Sequence, residues 1–183
     1  MCNFKEVSMH KVDPIKDIEV IKQIETHLKE RSLTYYFIFK IGINAPLKTE
    51  ELVQLTVSSV QSPVFLEMNG FKILLSEALV HELNDYIADH QLAPEDCLFC
   101  SKRTGKPYTR QHLHRVLAET AEALNLDCHI GAQSLKKTFA YHAYQQGMEL
   151  TYLQHLLGHQ SKKMTLSFID VPPETVCLIQ LNL

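Results

Sequence analysis

The chain has 183 residues and a mass of 21.0 kDa, with 45% hydrophobic and 21% charged side chains, enough apolar material to bury a core and to exclude disorder as its main state. No apolar run approaches the ~20 residues of a membrane span, and Met1-Cys2-Asn3-Phe4-Lys5-Glu6 lacks the basic-then-apolar order of a signal peptide, so a cytoplasmic protein with no membrane partner is expected. The net charge of −3 is unevenly spread: residues 1–100 hold 9 basic and 15 acidic side chains and residues 101–183 hold 9 and 6, so a polyanion is expected to meet the second half.

In chain order, Asp13-Pro14 predicts a helix start, with Ile15, Ile18, Ile21 and Ile24 recurring at helical spacing to about Lys29. A second helix, from about Leu33 to Ile43, is apolar on most faces and is therefore expected to be central. Thr49 is read as the cap of a third, with Glu50 and Glu51 in its first turn, where the helix dipole favours anions. From Val57 to Leu75 the pattern turns to β, through Val60, Val64, Phe65 and Leu66, then Asn69-Gly70, then Phe71, Ile73 and Leu74; Asn-Gly is a hairpin signal because both turn residues need positive φ. Ser76 then caps a helix to about His90, Thr109 caps another to about Leu124, and two or three more end near Gly147, Gly158 and Asp170, before Pro172-Pro173. No internal repeat interrupts this order, which predicts a mixed α/β, mostly helical domain over residues 1–173. The segment from Glu174 to Leu183 is too apolar for a free tail and is expected to dock on its own domain, on a second copy or on a partner.

Two segments of the second half, Gly131-Ala132-Gln133-Ser134-Leu135-Lys136-Lys137-Thr138-Phe139 and Leu156-Leu157-Gly158-His159 with Thr165 and Phe168 behind it, resemble the catalytic domain of tyrosine recombinases, the phage integrase family. Gly42 to Leu52 resembles the segment carrying that family's first arginine. The resemblance covers roughly residues 12–170, with the hairpin between the first and second motifs. It implies a small antiparallel hairpin sheet within a helical fold; since only about a dozen residues precede it, the N-terminal core-binding domain that the family usually carries is not expected. It also implies chemistry in which a tyrosine attacks a scissile phosphate, while arginines bind phosphate oxygens in a planar fork that an ammonium cannot reproduce.

Position by position, this chain departs from the pattern. The first arginine falls on Lys48, and the acidic residue three positions later is Glu51. The histidine and arginine of the next motif read Gln133 and Lys136. The Gly-His motif keeps His159, and nine residues on, where the tyrosine belongs, stands Phe168. The hairpin lysine has no clear counterpart, since Lys72 lies beyond the turn. Without a phenol oxygen the covalent intermediate cannot form at this position, so the resemblance implies a recombinase-like protein of a phage or mobile element that is not an enzyme. The function expected is weak binding of double-stranded DNA, as a regulator or modulator of an active integrase. The alternatives are a protein-interaction module that has lost DNA binding, or a truncated integrase remnant.

The residues expected to face DNA are Lys48, Lys102, Arg103, Lys106, Arg110, Arg115, Lys136, Lys137 and His159; residues 101–137 hold seven basic against three acidic side chains. A solvated helix face is the competing account of Lys102 to Arg115. Tyr141, Tyr144 and Tyr152 lie near the site and read as packing residues. Five cysteines, at 2, 97, 100, 128 and 177, suit reduced thiols; Cys97-Leu98-Phe99-Cys100 has metal-ligand spacing but no second pair, and Leu98-Phe99 reads as a short buried strand. No metal or cofactor is expected.

Overall fold

Helix α2 (Leu33–Asn44) is the axis of the computed structural model, which describes residues 12–60, 65–101 and 103–172. Phe37, Ile38, Phe39 and Ile41 of α2 are all buried. A helix with no polar face must be covered on several sides. Helix α1 (Ile18–Arg31) covers one through Ile21, Ile24 and Leu28, α3 (Thr49–Val53) folds back beside it, and α6 (Ala132–Gln145) lies along another.

The remaining elements are set by local signals. Strands β1 (Phe65–Met68) and β2 (Phe71–Leu74) pair antiparallel, with Met68 opposite Phe71, across a turn in which Asn69 and Gly70 take φ of +48° and +79°. The hydroxyls of Ser76, Thr109 and Ser161 cap α4 (Glu77–Asp89), α5 (Arg110–Ala123) and α8 (Lys162–Phe168) by accepting from Leu79, His112 and Met164 N–H. Helix α7 (Leu150–Leu157) ends on Gly158, whose φ of +71° is left-handed. One apolar cluster joins α1 to α6 and the hairpin; a smaller one, around Ala140, Leu153, Leu166 and Ile169, joins the far end of α6 to α7 and α8. Among the described residues no helix is long and apolar enough to cross a membrane.

Four expectations need correction. Helix α1 begins at Ile18, not after Asp13, because the backbone of residues 13–15 is engaged elsewhere. Asp13 N–H donates to His129 O at 2.9 Å, His129 N–H donates to the Asp13 carboxylate at 3.2 Å, and Ile15 N–H donates to Thr138 Oγ1 at 2.9 Å, leaving Asp17 to cap the helix. Val57–Val60 is a 3-10 turn rather than a strand, with Val57 and Ser58 N–H bonded to Asp96 O and Pro94 O, and the Ser58 and Ser59 hydroxyls both bonded to Thr56 Oγ1. The residue preceding α3 is Lys48, whose extended backbone N–H donates to the Glu51 carboxylate at 2.9 Å; Thr49 is the first helical residue. Leu98 and Phe99 are buried, but as a turn between two isolated bridges, Thr56 to Cys97 and Cys100 to Pro107. Val64, Lys102, Pro173 and the segment 174–183 lie outside the described residues.

At Gly42 the α2 backbone packs tightly under side chains of α6 and α3: a Cβ there would stand 2.7 Å from Leu135 Cδ1 and 3.0 Å from Leu52 Cδ2. Gly42→Val is therefore expected to overpack this crossing and lower stability by about 1–3 kcal/mol in urea unfolding, despite the gain of a side chain in a helix.

Candidate functional site

Stretches far apart in the sequence meet around a cleft of about 260 Å³. The start of α3 contributes Leu47, Lys48, Thr49 and Glu50; the first residue of α5 contributes Arg110; the first turns of α6 contribute Gln133 and Lys136. The loop after α7 brings His159, and the last residue of α8 brings Phe168. The N-termini of the two 14-residue helices α5 and α6 thus open on the cleft, so the partial positive charge of each backbone adds to that of the side chains.

Neighbouring groups act on several of these side chains. Lys48 Nζ lies 3.7 Å from Glu51 Oε1, and Arg110 Nη1 lies 3.8 Å from Glu50 Oε1, so both exposed cations face a carboxylate without a close hydrogen bond. Lys136 is half-buried, and loss of hydration pushes its pKa down; the neighbouring Glu51 opposes that shift and Lys48 adds to it. The His159 pKa is also pushed down, first by burial and then by Lys136, which favours the neutral ring. The Thr165 hydroxyl lies 3.3 Å from the Ser161 carbonyl and 3.1 Å from His159 Nδ1, so it orients the imidazole through that nitrogen. Gln154 Nε2 donates to His159 O at 3.1 Å, and the Phe168 ring meets the imidazole edge-on with centroids 5.0 Å apart.

Of the residues expected at the site, Lys48, Gln133, Lys136, His159 and Phe168 come together, with Glu51 bonded to the Lys48 backbone. Lys137 does not line the cleft with them. It is 3% exposed, and its Nζ donates to Val12 O at 2.7 Å and sits 5.5 Å over the Phe168 ring, because the α6 face it occupies packs on the incoming chain. The basic stretch is also divided. Arg110 reaches the cleft; Arg103 and Lys106 are exposed on a turn; Arg115 is held by His112 Nδ1 at 3.2 Å and Glu119 at 3.7 Å, where Glu119 also pairs with Arg31 at 2.7 Å.

Tyr141 and Tyr144 pack on the smaller apolar cluster, whereas Tyr152 is 59% exposed. Burial, and then the neighbouring Cys97, push the Cys100 thiol up to about 12. Two contributors were missed in the sequence. Asn69, legible only as a turn residue, donates from Nδ2 to Leu156 O at 2.9 Å and ties the hairpin to the loop bearing His159; Glu50, legible as a first-turn acid, is the carboxylate facing Arg110.

Residues 17–174 match the phage integrase family model. The chain belongs to the phage integrase family. It is 35% identical over 173 residues to the probable integrase/recombinase YoeC of Bacillus subtilis, covering 91% of this chain and 94% of that one. It is 27% identical over 160 residues to a tyrosine recombinase of Pseudothermotoga lettingae, covering 84% of this chain and 54% of the relative. Among solved structures, XerA recombinase superposes with a TM-score of 0.72 at 18% identity, over 96% of this chain and 64% of that one. XerH recombinase, in a post-cleavage complex with palindromic difH substrate, superposes with a TM-score of 0.67 at 19% identity, over 91% of this chain and 52% of that one. The fold is that of a tyrosine recombinase catalytic domain, and the chain spans about half to two-thirds of the longer relatives.

Lys137→Ala removes the donor to Val12 O and is expected to lower stability by about 1–3 kcal/mol in urea unfolding. The folded pKa values of His159 and His112 both lie below the ordinary 6.5, His112 through burial and then Arg115 and Arg31. The unfolded chain therefore takes up protons that the folded one resists, so stability is intact above that value and falls as pH drops through it. Denaturation midpoints measured between about pH 7.5 and 5.5 are expected to fall on acidification, and less steeply in His112→Gln and His159→Gln.

Proposed function

We propose that this member of the phage integrase family grips the phosphate backbone of duplex DNA in the cleft without forming a tyrosine-linked intermediate, and acts in recombination as a regulator or modulator of an active integrase. The observation carrying this reading is the cleft itself: Lys48, Lys136 and His159 remain gathered around it, while the aromatic ring beside His159 is Phe168. An ammonium binds phosphate as a point charge, so affinity survives a change from arginine better than transition-state stabilisation does. A phenyl ring has no oxygen to become the covalent link. The two carboxylates at the cleft and the chain's net charge of −3 keep the binding weak and salt-sensitive.

A protein-interaction module is the second reading, favoured by the acidic surplus of residues 1–100. Fluorescence anisotropy with labelled duplex DNA across a salt series separates the two. Binding that falls with salt and weakens about 3- to 10-fold in Lys48→Ala and in Lys136→Ala is expected; absence of binding at low salt supports the interaction module. On supercoiled plasmid the protein is expected to give no nicked product and no protein–DNA adduct, and an adduct would overturn the loss of strand exchange.

A further inference from the structure

We propose that Arg110 supplies the guanidinium for the bound phosphate that Lys48 and Lys136 do not provide. This rests on the phosphate-gripping reading above and assigns a residue to it. In the sequence Arg110 is one of several basic residues on a loop and helix start, and nothing there separates it from Arg103 or Arg115. In the fold it is separated: Arg110 lines the same cleft as Lys48, Gln133, Lys136 and His159, whereas Arg115 is held by His112 and Glu119.

Three features fit Arg110 to this role. It is the first residue of α5, so its backbone is fixed by the Thr109 cap and by the start of a 14-residue helix. Its side chain is 53% exposed, so the guanidinium can turn toward a ligand without leaving an apolar core. Its ion pair with Glu50 is loose at 3.8 Å and leaves the planar fork without a bidentate partner there. A phosphate diester offers two oxygens to that fork, while Lys48, Lys136 and the neutral His159 offer single-point contacts. Glu50 is then a competitor, since its carboxylate faces the same guanidinium that the phosphate needs.

The competition gives the proposal a test with two signs. Using the full chain and labelled duplex DNA, Arg110→Ala is expected to weaken binding about tenfold and to lower the slope of log affinity against log salt by about one. Arg110→Lys keeps the charge but loses the fork and is expected to remain at least about threefold weaker than the parent chain. Glu50→Gln is expected to tighten binding, an outcome that misfolding would not produce. Lys22→Ala, a charge-matched change on exposed α1 away from the cleft, is expected to stay within about twofold. If Lys48→Ala and Lys136→Ala lose affinity while Arg110→Ala behaves like Lys22→Ala, the role of Arg110 is overturned and the phosphate-gripping reading stands. If none of the cleft variants differs from Lys22→Ala, both fall. Arg110→Lys binding as tightly as the parent chain would overturn the guanidinium's role and leave a simple charge.

Discussion

The distance at which α6 can lie against α2 governs the geometry of the whole cleft. At Gly42 the α2 backbone comes so close that Leu135 and Leu52 occupy the space a larger side chain would fill. Leu135 sits one residue before Lys136 on α6, and Leu52 one residue after Glu51 on α3. The same contact therefore sets how far the Lys136 ammonium stands from Lys48 and Glu51. Those groups feel one another electrostatically, because Lys48 and Glu51 act in opposite directions on the charge of Lys136. Packing determines electrostatics here, since ions placed by helices that cannot separate have fixed mutual energies.

Within that frame the cleft is balanced rather than strongly basic. Lys48 and Arg110 each face a glutamate at a distance too long for a good hydrogen bond, so the carboxylates reduce the local field without fully engaging either cation. A bound anion would exchange a loose ion pair for a close one. Burial works in the opposite sense at Lys136 and His159, because groups deprived of water are costly to charge. On the proposed reading, a bound phosphate would offset that cost, and its occupancy would respond to salt and to small changes in local charge.

The parts of the structure legible in the sequence were those whose signals are local. Ser76, Thr109, Asn69-Gly70 and Gly158 act within a few residues of themselves, and each does what its side chain or backbone freedom dictates. The apolar run of α2 announced a central helix for the same reason. Two of the features that were not legible depended on partners more than a hundred residues away. Asp13 resembled a helix cap but bonds His129, and the backbone after Pro14 bonds Thr138. Lys137 looked like one of a basic pair, yet helical geometry puts adjacent residues about 100° apart, so Lys136 enters the cleft while Lys137 is buried under Val12. The serine-rich stretch after Thr56 carries β-branched residues, and its Ser58 and Ser59 hydroxyls nevertheless both bond Thr56 Oγ1 in a 3-10 turn.

His159 shows how the shape of the cleft is held independently of its reactive side-chain tips. Its backbone carbonyl is held by Gln154, its Nδ1 by Thr165, and its edge by the Phe168 ring, while Asn69 ties the neighbouring turn to the hairpin. None of these contacts requires a hydroxyl on residue 168 or a guanidinium on residues 48 and 136. The shape of the cleft is maintained by helix packing and backbone hydrogen bonds, and its chemistry by a few exchangeable side-chain tips. On the proposed reading, the first keeps a place for phosphate, and the donors around it decide what is done with a phosphate there.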